Sequence, residues 1–163
     1  MRRIDVRVTG GCQCGAIRYR ATAMLDNAHL CHCRMCQKAV GGVFAALVAA
    51  PKDAFTITRG KPAVFRSSEL VERGFCAACG TPLYHNDVTA SRLNLTMGSL
   101  DDPSLFPPHT HTGIEGRVAW FADLAKTEDY GTTEGDGREQ WAAAIRRSNR
   151  QHPDHDTDKW PPE

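Results

Sequence analysis

Residues 10–19 read Gly-Gly-Cys-Gln-Cys-Gly-Ala-Ile-Arg-Tyr. Two cysteines one residue apart, set beside a glycine pair, are the pattern of a metal knuckle rather than of a core strand. The chain repeats this habit. Cys31, Cys33 and Cys36 stand within six residues, and Cys76 and Cys79 form a C-x-x-C pair. None of the seven cysteines lies outside these three clusters. An odd count makes a poor disulfide framework. Residues two or three apart in a tight turn can aim two sulfurs at one point, as a tetrahedral thiolate site for zinc requires.

Outward from the clusters, the chain reads mostly as short strands. Apolar and charged residues alternate over 4–8, and Gly10-Gly11 is expected to break that strand. Residues 16–21 alternate Ile17 and Tyr19 against Arg18 and Arg20. Residues 27–30 lead into the second cluster. The run 43–50 is continuously apolar and fits a buried strand or a short helix, with Pro51 ending it. Phe55–Thr58 is rich in β-branched residues. Residues 63–65 and 70–75 flank a polar tip and predict a hairpin, and 82–85 and 92–97 predict two further strands. The composition changes after about Gly131. Residues 134–163 hold six hydrophobic residues against seven acidic and five basic ones. A zinc domain over 1–133 and an appended segment over 134–163 are therefore expected. Asp136 as cap and Glu139 at the third helical position predict a short helix over 137–149, with Trp141 and Ile145 packing on the domain. From Gln151 onward, Pro153, Pro161, Pro162 and four acidic residues predict a loosely held tail.

The 163 residues carry 20 Lys+Arg against 19 Asp+Glu. A net charge of +1 argues against an electrostatic nucleic-acid binder or a polybasic membrane anchor. No apolar run approaches the roughly 18 residues of a membrane span, and the first eight residues lack the apolar core of a signal peptide. A cytoplasmic protein without nucleic-acid or membrane partners, a monomer or a homodimer, is the expectation.

Seven thiols complete one four-ligand site and leave three. A closed set of four is the structural pattern, and three protein ligands are the catalytic one. Spacing alone leaves two partitions open. Cys33, Cys36, Cys76 and Cys79 make a zinc ribbon that leaves Cys12, Cys14 and Cys31. Alternatively, Cys12 and Cys14 join Cys76 and Cys79, leaving Cys31, Cys33 and Cys36 together.

The stretch 10–19 resembles the opening of the glutathione-dependent formaldehyde-activating family, which includes the centromere-protein-V domain. Cys31-His-Cys-Arg-Met-Cys36 with Gly41-Gly42 resembles its second signature, and Phe75-Cys-Ala-Ala-Cys-Gly-Thr-Pro-Leu83 its third. Pro51–Phe55, Arg59-Gly60, Leu100–Pro103, His111 and Trp120 are also similar, so the likeness spans about 9–130. Ala119 stands where the family pattern has proline, and 121–130 matches loosely. The resemblance implies a mainly β, Mss4-like fold of small antiparallel sheets pinned by zinc, here with a short C-terminal helix. It implies a structural zinc on Cys12, Cys14, Cys76 and Cys79, and a catalytic or labile zinc on Cys31, Cys33 and Cys36. It also implies a carbon–sulfur lyase or synthase that joins glutathione to formaldehyde.

Three thiolates make a divalent ion a poor Lewis acid, which favours capture of the thiol over polarisation of the aldehyde. Arg34 and Lys38 can meet glutathione carboxylates. Ser67, Ser68 and Arg73 border the pocket by family likeness. Gly41 and Gly42 allow close backbone approach or a plain turn. His32, between two proposed ligands, is expected to face away from the metal. His109 and His111 form an H-x-H that could bind metal, although one strand with a polar face gives the same pattern, and His152 and His155 are expected to be solvated. Two other classes share the same residues: a thiol carrier without turnover and a zinc-stabilised interaction module. A methionine sulfoxide reductase needs a nucleophilic cysteine near its C-terminal strands, and this chain has none after Cys79.

Overall fold

The computed structural model describes residues 1–132 and 137–161. The Asp136 cap and the 133/134 division between the two segments lie outside the described residues. In chain order the strands are β1 (Arg3–Ile4), β2 (Val8–Gly11), β3 (Arg18–Ala21), β4 (Met24–Leu25), β5 (His29–Cys31), β6 (Ala45–Pro51), β7 (Phe55–Arg59), β8 (Ala63–Arg66), β9 (Val71–Phe75), β10 (Pro82–Asp87), β11 (Arg92–Thr96) and β12 (Thr110–Thr112). Two helices, α1 (Arg34–Val40) and α2 (Glu139–Ser148), and several 3₁₀ turns complete the described residues.

Among the described residues the strands form three sheets: β1-β4, β2-β3-β7, and a seven-stranded sheet ordered β12-β5-β6-β11-β10-β9-β8. The mainly β, antiparallel expectation holds, with one exception: β12 runs parallel to β5. The apolar run before Pro51 is a strand. β6 lies inside the large sheet between β5 and β11, so both its faces are covered and five of its residues in succession, 47–51, are buried. The predicted hairpin is β8–β9, paired from Ala63↔Phe75 to Arg66↔Glu72.

The core lies between the small β2-β3-β7 sheet and the large one. Tyr19, Val48, Leu83 and Leu95 are fully buried there, and Cys12 and Cys76 belong to the same cluster. The strand expected over 4–8 is divided into β1 and β2 by residues 5–7, and Gly10 and Gly11 extend the second rather than break it. They lie inside β2, because a side chain at Gly10 would collide with the Tyr19 ring and one at Gly11 with the Ile17 carbonyl. Gly74 likewise makes room for the Tyr84 ring.

The C-terminal segment departs most from expectation. In α2 only Ala142 is buried, while Trp141 and Ile145 stay exposed and pack on nothing of the core. The tail that follows is held rather than loose. His152 is 3 % exposed and donates its backbone N–H to the Gln13 carbonyl at 2.7 Å. The Trp160 indole donates to the Cys14 carbonyl at 2.8 Å. Gly15, at φ 74°, must be glycine here: a side chain would strike both the His152 and Trp160 rings. Arg59 donates to Thr157.

Arg18 anchors the tail to the core. It is buried, donates to Asp101 at 2.8 and 2.5 Å, and reaches Asp156 at 3.0 Å. Burial works to raise the Asp101 carboxyl, but the Arg18 and Thr9 hydrogen bonds outweigh it and hold it below the ordinary value of 3.8. A carboxyl depressed by folding contributes stability that is present above its unfolded value and lost as pH falls through the folded one. Asp101→Asn is expected to cost about 3 kcal/mol at neutral pH, the low end for a broken buried pair because Asp156 remains. The difference in denaturant midpoint between wild type and D101N should stay constant above pH 5, about a unit above that value, and shrink in more acidic solution.

Candidate metal centres

Four sulfurs meet where the first and third clusters come together. Cys12, Cys14, Cys76 and Cys79 place their Sγ atoms all within 4.8 Å of one another. Cys12 and Cys14 are 3.6 Å apart, and Cys14 and Cys76 are 3.8 Å apart. Both distances are far too long for a disulfide, which needs about 2.05 Å. They match the edge of a tetrahedron with metal–sulfur bonds of about 2.3 Å. Two turns build the set. Cys12 accepts the Ile17 N–H on its sulfur at 3.2 Å while Gly15 N–H closes onto the Cys12 carbonyl. Gly80 N–H closes onto the Cys76 carbonyl in the same manner. Thr81 joins the turns, its hydroxyl oxygen accepting from Gln13 N–H at 3.0 Å and lying 3.2 Å from Cys79 Sγ.

The acidities of two members are pushed in opposite directions. Burial pushes Cys12 up to about 12, and the Cys76 and Cys14 sulfurs add to the rise despite the Ile17 N–H. Burial would raise Cys79 too, but hydrogen bonds from Thr81 and the Cys14 backbone hold it at about 6. Four sulfurs so close could hold a divalent soft-acceptor ion such as zinc, whose charge would offset that of the thiolates.

The second cluster stands apart from the first. Cys31 ends β5, Cys33 caps α1 with its sulfur accepting Cys36 N–H at 3.4 Å, and Cys36 is in the first helical turn. Their three sulfurs also lie within 4.8 Å of one another, Cys31 and Cys33 at 3.5 Å. The structure thus brings the cysteines together in the second of the two partitions. Burial pushes Cys36 up to about 12; Arg73 works against that rise, and Cys31 and Cys33 add to it. The Arg73 guanidinium nitrogens sit 3.6 and 3.7 Å from Cys36 Sγ, and its Nε donates to Ser67 at 3.3 Å. Ser68 instead braces the hairpin tip through Leu70 N–H.

Two residues without a legible signal hold this loop in place. Gln37 is buried, and its amide nitrogen lies 2.8–3.0 Å from the carbonyls of His32, Val43 and Gly116. One glutamine thereby ties the cysteine loop to the chain after β12. Gly113, at φ 60°, lets that chain approach Cys33 where any side chain would collide with its backbone. His32 points away from the sulfurs as expected, into full burial, with Nε2 2.9 Å from His111 Nδ1 and the Phe121 ring edge-on at 4.7 Å. His109 and His111 therefore do not share a site: His109 lies 3.5 Å from Asp26 at the surface. The expectation that His152 is solvated is corrected, since the tail buries it against Gln13 and Gly15.

A cavity of about 340 Å³ opens beside the second cluster, walled by Val40, Ala45, Leu47, Phe65, Arg73 and Tyr84. A hollow of about 420 Å³ adjoins it, sharing Phe65 and Arg73 and bringing Arg34, Met35 and Lys38 to its mouth.

Among the described residues, no helix is long and apolar enough to cross a membrane. The sequence profile of the family described as glutathione-dependent formaldehyde-activating enzyme matches residues 7–115. A Podospora anserina protein whose name assigns it to these enzymes is 29 % identical over 75 residues, 45 % of this chain. The chain spans 35 % of that relative's length. A crystal structure of a Rhodobacter sphaeroides protein superposes with a TM-score of 0.54 at 20 % identity, covering 64 % of this chain and 99 % of that one, a likeness of fold. With 109 of its 163 residues matched by the profile over 7–115, the chain belongs to the glutathione-dependent formaldehyde-activating enzyme family.

Proposed function

We propose that this protein is a zinc-dependent carbon–sulfur lyase or synthase that adds glutathione to formaldehyde, with Cys12, Cys14, Cys76 and Cys79 holding a structural zinc and Cys31, Cys33 and Cys36 a reactive one. One observation carries the reading. The four-sulfur set packs with the main core, whereas the three-sulfur set packs with Val40, Ala45 and Leu47, which wall a cavity whose adjoining hollow is bordered by Arg34 and Lys38. Zinc on three thiolates would supply the positive charge that favours the thiolate form of an incoming thiol at neutral pH.

The chain's own groups do the rest. Arg34 and Lys38 offer the cations that a tripeptide with two carboxylates requires. Arg73 stabilises negative charge on Cys36 and lines both hollows. In the addition a sulfur–carbon bond forms, the carbonyl π bond breaks, and the thiol proton ends on the former carbonyl oxygen. Burial favours the neutral form of His32, as do His111 and Arg117. Its ring is packed away from the sulfurs, so it supports the loop and does not shuttle that proton.

The test is magnetisation-exchange NMR between free formaldehyde and S-(hydroxymethyl)glutathione. The zinc-loaded protein should accelerate exchange above the uncatalysed rate in proportion to its concentration. Glutathione binding without acceleration would make the protein a carrier, and the absence of both binding and acceleration would refute the reading.

A further inference from the structure

We infer that the site takes thiol adducts of aldehydes with an apolar chain of about four to six carbons, in addition to or in place of the formaldehyde adduct. This deepens the proposed function and rests on its reading of the three-thiol cluster as the substrate-facing one.

The cavity shares its wall with the neighbours of the sulfurs, and Arg73, which lines it, lies 3.6 Å from Cys36 Sγ. Cys36, Ala45 and Leu47 pack as one cluster with Cys31, Cys33 and Val40 against it, and Val40, Ala45 and Leu47 are also cavity wall. Phe65 stands over the opening, 62 % exposed, and borders both hollows. A volume of about 340 Å³ has room for on the order of ten water-sized groups at roughly 30 Å³ each. Formaldehyde brings one carbon and one oxygen. A solvated apolar hollow of that size gains by accepting a hydrocarbon chain, because apolar surface leaves water on both sides.

The polar groups fall where an adduct's head would lie. Arg73 and His85 are directly opposed on β9 and β10, both border the cavity, and Arg73 reaches Cys36. His85 thus sets an imidazole in the wall beside the Arg73 guanidinium. Arg34 and Lys38 lie at the mouth, away from the Leu47 floor. An acidic thiol at the mouth, its sulfur at the cysteines and an apolar chain on the floor satisfy all three regions at once. The reaction balances as before: the sulfur adds to the aldehyde carbon and the thiol proton passes to the aldehyde oxygen.

S-alkylglutathiones test the pocket without chemistry, because a thioether does not exchange. Calorimetric titration of the zinc-loaded protein with the S-methyl, S-butyl and S-hexyl compounds should show affinity rising as much as threefold to fourfold per added methylene, and at least about thirtyfold from methyl to hexyl. Ala39 borders both hollows, and Ala39→Phe should fill the cavity and flatten the series while S-methyl affinity is retained. Phe65→Ser, at an exposed position that does not threaten folding, should weaken the dependence. Affinities within twofold across the series, no binding of any member, or a dependence untouched by both variants would overturn the inference. Accelerated formaldehyde exchange with a flat series would leave the proposed function standing and remove this one. A steep series without formaldehyde exchange would support this one and remove formaldehyde as substrate.

Discussion

Cys76→Ser is expected to abolish the cooperative thermal transition, or to lower its midpoint by more than 20 °C, with loss of bound zinc. Cys76 is 1 % exposed, sits in the main core cluster, and lies among the sulfurs of Cys12, Cys14 and Cys79. It joins chain segments 62 residues apart. Without that clip the β2-β3 turn and the β9-β10 turn have few ties besides the Gln13–Thr81 hydrogen bond. Metal binding at such a set is folding free energy, on the order of 10 kcal/mol for structural zinc sites. That matches the whole stability of an ordinary domain, about 5–15 kcal/mol. Circular dichroism melts with parallel zinc analysis check the result. A variant that melts within a few degrees of wild type would show that the four sulfurs do not hold the fold.

Cys36→Ser is expected to behave in the opposite way. Exchange between formaldehyde and its glutathione adduct should fall to the uncatalysed rate, while the melting midpoint moves by less than about 5 °C. The second cluster sits on one edge region, built from β5, the first turn of α1 and the loop between them. Its members span six residues, so a metal there closes no long loop and contributes little to folding. A hydroxyl in place of the Cys36 sulfur removes the group that Arg73 contacts and one of three donors. NMR exchange and melting on the same preparation separate the two effects. Retained exchange would place the chemistry elsewhere.

Much of this was legible in the residues, and the gaps have physical causes. The cysteine clusters announced themselves because thiol spacing is local. Their partition was not, since two groupings satisfy the same spacing, and only the packing of the β2-β3-β7 sheet on the large sheet, with Cys12 and Cys76 in one core cluster, brings 12–14 to 76–79. The strands from Phe55 to Thr96 were legible from β-branched residues and the turns between them, and in 92–97 from alternation of apolar and polar residues. Gly10 and Gly11 misled because glycine marks both turns and close packing, and Tyr19 made it the latter. α1 was hidden behind its cysteines, whose spacing outweighed any helical period in a seven-residue element. Gln37 gave no signal: a lone glutamine reads as surface until three carbonyls converge on it. The tail read as loose from its prolines and acids. Asp156 and His152 find Arg18 and Gln13 only through contacts more than 130 residues long.

On the proposed reading, seven thiols divide into a closed set that holds the fold and a three-sulfur set that does the chemistry. Zinc content and zinc release to a colorimetric chelator test it most directly. The account predicts two zincs per chain, released in two phases: a fast one that leaves the circular dichroism unchanged and is absent in C36S, and a slow one that coincides with unfolding. A single zinc, or two released together with loss of structure, would contradict it.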